Sequence, residues 1–399
     1  MTYFKIPTNK YATLTQKSLK VKFDLKSVKQ NTICCFSLNK YLNSSKKKID
    51  EVLTLWDNIK IYTNPYEFVH TNVPNYSMSV CKYKPISRAF FKLLEMYNLF
   101  RICDFNTSIN TFHLAEGPGG FLEATMYTRK NKNDNYYGIT LLDSNNNVPG
   151  WKKSKKFLEK YSNIFLEKGV DNTGNIFNAE NFIYLKNKFD KKFEIITGDG
   201  GIDFSADYND QENAAIRLIL TQVIYALTLQ KKNGSFILKM FDLFSKISID
   251  IIYLLSIYYE KVYIVKPYTS RYANSEKYIV CINYHKSITE GMINKFKDIL
   301  KILNKIDFKK YNIVSLLDIE HNLFFMNNIE EINTILGQRQ IENILYTIKI
   351  IKNIDKSHEK INKFKTSNIL KCIKWCNTNN VEYNSFESIL SPKNIFLNR

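Results

Sequence analysis

Phe112-His113-Leu114-Ala115-Glu116-Gly117-Pro118-Gly119-Gly120-Phe121 is an apolar run that breaks into a tight Gly/Pro turn ahead of a helix-forming segment. The pattern predicts the first strand of an open α/β sheet, a ligand loop behind it, and a helix over residues 120–129. Gly117, Gly119 and Gly120 remove Cβ atoms where the backbone turns and approaches a ligand, and Pro118 stiffens the turn. The first N–H groups of the helix are expected to point at that ligand. Gly-x-Gly-Gly is neither the Gly-x-Gly-x-x-Gly of dinucleotide sites nor a P-loop. A bare strand-to-helix turn, a dinucleotide enzyme and a site for a small ligand with a ribose and an amino-acid tail, such as S-adenosylmethionine, all stay open. Glu116 offers such a ligand a carboxylate for its cation.

Outward from this loop, short apolar runs alternate with helical patterns, as in a mostly parallel sheet covered by helices. Strands are expected over residues 112–115, 136–142, 193–197, 235–240, 261–266 and 277–284, with helices over 87–97, 180–187, 213–230 and 248–259. Ser87 reads as the N-cap of the first helix. Only residues 267–276 separate the last two strands, too few for a helical crossover, so these are expected to pair antiparallel. Ligands of such sheets bind beyond the carboxyl ends of the strands, where the glycine loop, Asp199 and Lys239 all fall.

The 57 Lys and Arg against 38 Asp and Glu give a formal charge of +19, which favours a polyanionic partner such as nucleic acid. Residues 1–84 hold 14 lysines, no arginine and five acids, and so form a basic N-terminal section. Within it Lys46-Lys47-Lys48 reads as a solvated face or an RNA contact. Residues 85–285 form the α/β domain. Residues 286–399 lose the glycine turns and gain Ile/Leu/Lys patterns at helical spacing, notably 292–306 and 341–354, and read as a helical C-terminal extension. Seven scattered cysteines without Cys-x-x-Cys or Cys/His spacing imply reduced thiols, no structural zinc and an intracellular setting. The first residues lack the apolar core of a signal peptide, and no apolar run is long enough for a membrane span.

Four ionisable residues stand in unusual surroundings: Lys92 among aromatics, Asp199 in Gly-Asp-Gly-Gly, Lys239 inside the run Phe236-Ile237-Leu238-Lys239-Met240-Phe241, and Glu276 after Asn274-Ser275. A lysine in a strand buried on both faces needs an acid beside it. With the Glu116 to Phe121 loop and Ser87-Arg88-Ala89-Phe90-Phe91-Lys92-Leu93, these residues resemble the FtsJ-like (RrmJ-type) ribose 2′-O-methyltransferases. Asn64-Pro65-Tyr66-Glu67, Asp199-Gly200-Gly201 and the segment from Lys266 to Cys281 resemble the cap-specific mRNA branch of that family. The likeness covers residues 62–285, and the Lys/Asn/Ile-rich composition is similar to that of versions encoded by large cytoplasmic DNA viruses.

The resemblance implies a Rossmann-like methyltransferase sheet whose last strand is antiparallel, and S-adenosyl-L-methionine as cofactor. It implies a Lys92-Asp199-Lys239-Glu276 tetrad, with Lys239 accepting or steering the proton of a ribose hydroxyl. The cofactor residues it implies are Glu116, Gly117, Pro118, Gly119, Gly120, Phe121, Asn175 and Asp199; Asn175 stands where the family carries Asp, and Asp143 could reach the ribose. No metal is required. The implied substrate is capped RNA, methylated on the ribose of its first transcribed nucleotide, with Lys266 and Arg271 expected to hold its phosphates. Ribosomal or other structured RNA, and a catalytically silent RNA-binding scaffold, are the alternatives. A monomer is expected, with a capping-enzyme or transcription-machinery partner conceivable. The compartment would be the cytoplasm or virion for a viral protein and the nucleus for a cellular one.

Overall fold

β-Branched and aromatic runs supply strands wide enough to be covered on both faces, and the segments between them supply the covering helices. The computed structural model describes residues 1–9, 11–26, 32–143, 148–201 and 210–391. The chain begins with β1 (Thr2–Ile6), β2 (Leu19–Leu25), α1 (Phe36–Lys47) and α2 (Leu53–Thr63). Then come α3 (Ala89–Phe100), β3 (Asn110–Leu114), α4 (Gly120–Arg129), β4 (Asn135–Ile139), α5 (Lys155–Lys160), β5 (Ile164–Glu167) and α6 (Ala179–Phe189). The middle continues with β6 (Phe193–Gly198), α7 (Gln211–Leu229), β7 (Gln230–Met240), α8 (Lys246–Tyr258), β8 (Tyr259–Lys266) and β9 (Lys277–Tyr284). It closes with α9 (Glu290–Lys305), β10 (Tyr311–Leu317), α10 (Leu323–Lys352) and α11 (His358–Thr378).

Eight strands form one sheet in the order β1-β8-β9-β7-β6-β3-β4-β5. From β5 to β7 every pairing is parallel, β9 runs antiparallel to both its neighbours, and β1 runs antiparallel to β8. This is the Rossmann-like α/β arrangement, with its antiparallel strands at one side. Alternation along β7 sends Phe236 and Leu238 into the core under α6, α7 and α8, and Ile237 into the core under α3 and α4. Lys239, two residues after Ile237, therefore shares the face covered by α3, the helix of Lys92.

The two ends of the chain are built into this frame. β1 adds an edge strand beside β8, and β2 pairs with β10. Leu42, Trp56 and Ile59 from α1 and α2 share a core with Phe244 and with Ile341, Ile344 and Ile348 of α10. The basic section is thus no detachable arm, and the C-terminal section is not wholly helical. The pattern at 341–354 is the later part of the long helix α10. Strands β1, β2, β5 and β10 escaped the sequence reading because they acquire their pairing from segments distant in sequence. Helix α3 begins after Ser87 with no side-chain cap; a Cβ on Gly120 would lie 2.1 Å from the Ser87 hydroxyl, so that group faces the glycine loop instead. Among the described residues no helix is long and apolar enough to cross a membrane.

Candidate active site

Strand register assembles the charged residues. β6 and β7 pair in parallel with Gly198 opposite Leu238, so Asp199, the residue just after β6, comes beside Lys239. In the antiparallel β7–β9 pair Met240 faces Lys277, which brings Glu276 to the same end of the sheet. Lys92 descends onto that end from α3 and is buried. Its ammonium meets both carboxylate oxygens of Glu276, at 2.7 Å and 2.8 Å. The Lys239 ammonium donates to the Asp199 carbonyl at 2.8 Å and lies 3.3 Å from Asp199 Oδ1. The structure brings all four sequence-predicted residues together as two ion pairs.

Burial opposes ionisation of Glu276, but the ammoniums of Lys92, Lys239 and Lys266 outweigh it and hold the carboxyl well below the usual range. Two residues missed by the sequence reading complete the cluster. Tyr278 lies directly across from Lys239 and donates its hydroxyl to Asp199 Oδ1 at 2.9 Å; burial raises its phenol well above the ordinary value, so the proton stays. Ser270 donates to Glu276 Oε1 at 2.8 Å. The period-two alternation of β9 could have found Tyr278, because the residue two after Glu276 returns to the same face. Ser270 lies in a loop and left no such signal.

Lys266 and Arg271, expected to grip phosphates, are engaged elsewhere. Lys266 donates to the carbonyls of Asn274 and Glu276 and to Asn274 Oδ1, all within 2.7 Å. Arg271 forms an ion pair with the buried Glu67. Both brace the 267–276 loop that delivers Glu276. Lys46, from the run expected on a solvated face, is buried 3.0 Å from Asp242, which also meets Lys277 at 3.4 Å.

The glycine loop lies beyond β3. Gly119 has φ +116°, a backbone state that favours glycine, and a Cβ on Gly117 would lie 2.8 Å from Thr140 Oγ1. A Cβ on Gly174 would lie 1.9 Å from the Thr140 carbonyl, and one on Gly200 2.8 Å from the Ala115 Cβ. The glycine loop, the Asn175 turn and the Asp199 turn thus converge at the carboxyl ends of β3, β4 and β6. Asn175 Oδ1 accepts from the Phe177 N–H at 2.9 Å and shapes its own turn. Asp143 borders a cavity of about 530 Å3 beside Trp151; residues 144–147, which follow it, lie outside the described residues.

Glu116 corrects one expectation. Its Oε1 accepts the Phe121 and Leu122 N–H groups at 2.8 and 2.9 Å, so these helix N–H groups meet a carboxylate of the chain rather than a ligand. Oε2 is buried with no partner among the described residues. Burial raises the carboxyl to about 8 against the lowering effect of the two N–H groups.

The FtsJ-like methyltransferase family model matches residues 85–284, half of the chain. The chain belongs to the FtsJ-like methyltransferase family. Methyl transfer from S-adenosylmethionine is the chemistry of that family. The chain is 30% identical over 214 residues to the cap-specific mRNA (nucleoside-2′-O-)-methyltransferase 2 of Drosophila melanogaster, covering 50% of this chain and 30% of that protein. It is 31% identical over 258 residues to the cap-specific mRNA (nucleoside-2′-O-)-methyltransferase 1 of Dictyostelium discoideum, covering 60% and 33%. The matched part is about a third of the length of these relatives. Human methyltransferase-like protein 13 in complex with SAH is 9% identical at a TM-score of 0.32, covering 55% of this chain and 91% of that one, a likeness too slight to carry an argument.

The residues present fit this donor. Glycines let the three turns pack closely against one another, and the orphaned Oε2 of Glu116 is an acceptor that a cationic amino group could satisfy. Gly117, Pro118, Gly119, Gly120 and Phe121 would hold the donor, together with Asn175 and Asp199 on the converging turns.

Proposed function

We propose that the protein transfers a methyl group from S-adenosylmethionine to the ribose 2′-hydroxyl of the first transcribed nucleotide of capped RNA, with Lys92, Asp199, Lys239 and Glu276 as the catalytic set. The observation that carries this reading is the pairing of two lysines with two acids at the strand ends next to the glycine loop. The named relatives, both cap-specific mRNA methyltransferases, support the choice of substrate.

The bound donor supplies an electrophilic sulfonium methyl. A ribose hydroxyl is a weak nucleophile, so the chain must hold its oxygen in line and deal with one proton. Lys239 is the group at the 2′-oxygen and accepts or steers that proton as the new C–O bond forms. Asp199 holds Lys239 through its carboxylate and carbonyl, while Tyr278 holds Asp199. Glu276 and Lys92 balance the charge of the cluster, and the loop pinned by Lys266 and Arg271 keeps Glu276 in place.

The test is incorporation of labelled methyl into matched short RNAs with and without a 7-methylguanosine cap, followed by mapping of the modified ribose. Incorporation at the first ribose of the capped RNA alone is the expected result. Equal incorporation into uncapped RNA would move the substrate to internal sites, and cofactor binding without incorporation into either would leave a scaffold.

A further inference from the structure

Behind the loop that carries Glu276 lies a second cavity of about 830 Å3, in the size range of small-molecule sites and roomier than a single nucleotide requires. Its floor includes Asn274 and Lys277, the near neighbours of Glu276 in sequence. Tyr268 and Tyr272 rise from the same loop, and Tyr268 is braced by stacking on Tyr66 with ring centroids 4.6 Å apart. The opposite wall is α10, which lies outside residues 85–284. Arg339, Glu342, Tyr346 and Lys349 of that helix are spaced three, four and three residues apart and form one exposed stripe along the cavity.

The chemistry of this stripe is selective. Arg339 and Lys349 enter no ion pair with a carboxylate among the described residues, so their charge is available to an anion. Tyrosines on facing walls suit a flat base. Glu342 is the only acid among the described residues that line the cavity. A carboxylate accepts the paired N–H donors on the edge of guanine, whereas adenine presents an acceptor there. A base between tyrosines with a phosphate chain running to Arg339 and Lys349 fills such a site.

We propose that this cavity receives the terminal guanine nucleotide of the RNA, and that α10, rather than the family core, reads it. The inference rests on the capped-RNA reading above and adds where the cap is held. Lys266 lines the cavity and donates to the carbonyl of Glu276, so the cavity and the Lys92–Glu276 pair are joined through one residue. The guanine would therefore lie upstream of the acceptor ribose with the phosphate bridge between them.

The test is equilibrium binding of the full chain to a 7-methylguanosine-capped dinucleotide, GTP, ATP and inorganic tripolyphosphate. Wild type is compared with Tyr346→Ala, Lys349→Ala and Glu342→Gln, all exposed positions, and S-adenosylmethionine binding reports that each variant is folded. Tyr346→Ala and Lys349→Ala are expected to weaken the capped dinucleotide at least tenfold. Glu342→Gln is expected to weaken the dinucleotide and GTP and to leave tripolyphosphate unchanged. Capped-dinucleotide affinity within twofold of wild type in all three variants overturns the site, and ATP binding as tightly as GTP overturns the guanine assignment. If wild type methylates no capped RNA while the dinucleotide binds and the variants lose it, the proposed reaction fails and the site stands. Methylation of capped RNA with an unchanged KM in all three variants removes the site alone.

Discussion

The two lysine–acid pairs of the candidate active site are built alike and situated differently. Lys92 and Glu276 have side chains 6% and 11% exposed, and the ammonium engages both oxygens of the carboxylate. Lys239 and Asp199 are 12% and 15% exposed at 3.3 Å, and the ammonium gives one hydrogen to a backbone carbonyl. The first pair is close to saturated by its own members. The second keeps bonding capacity toward the side from which a substrate would come. Under the proposed reaction, the contrast assigns the holding of charge to one pair and the handling of a proton to the other, although both are drawn from the same residue types.

The sharpest way to break that contrast is to remove each lysine in turn. Lys239→Ala is expected to lower methyl transfer by about 10³-fold, the middle of the range for a positioned acid–base group. S-adenosylmethionine binding should be retained in equilibrium titration, because Asp199 keeps its hydrogen bond from Tyr278. Lys239→Ala retaining more than a tenth of wild-type transfer would mean that the proton leaves by another route, and the division of labour would fall.

A second test addresses the sealed pair through stability. Glu276→Ala leaves the Lys92 ammonium buried without its partner and is expected to cost about 3 kcal/mol by denaturant unfolding. Lys92→Met, which fills the same volume without charge but strands Glu276 beside Lys266 and Lys239, should cost less. The pH dependence follows from the Glu276 carboxyl being held well below its ordinary value in the folded state. That stabilisation is fully present above the unfolded value near 4.5 and is lost as pH falls below it. Acid unfolding of Glu276→Gln should therefore be shallower below pH 4.5 than that of wild type. Equal slopes would mean that the pair carries no linked proton.

How much of this was legible in the sequence divides along the line between local and distant information. The glycine loop, the strands from β3 to β9 apart from β5, and the helices between them apart from α5 follow from periodicity and turn residues, which are local. The quartet was legible because an unusual charge in an apolar strand, Lys239, marks itself, and because its companions resemble a known set. Lys46 was not legible: three consecutive lysines read as solvent-facing, and only the fold shows Asp242 waiting for the first of them. Lys266 and Arg271 failed for a related reason. Their charge was visible, but the loop carbonyls and Glu67 that absorb it were not. The tyrosine-walled cavity is assembled from a loop and a helix distant in sequence, so no window of the chain could display it.

The smallest effect expected is also the one that best resolves how the open pair is tuned. Tyr278 touches Asp199 and sits 6.0 Å from the Lys92 ammonium by its ring centroid, so it borders both pairs. Tyr278→Phe removes one hydrogen bond to a carboxylate and keeps the ring, a change of about 1.5 kcal/mol, or roughly tenfold in transfer. If the hydroxyl serves to fix Asp199 so that the carboxylate can hold Lys239, the variant should lose kcat with little change in KM for RNA. A merely structural role for the ring would leave kcat where it was and lower the melting temperature. Loss of kcat without loss of stability would place Tyr278 as a positioning residue for the open pair, and an unchanged kcat with a lowered melting temperature would return it to the core.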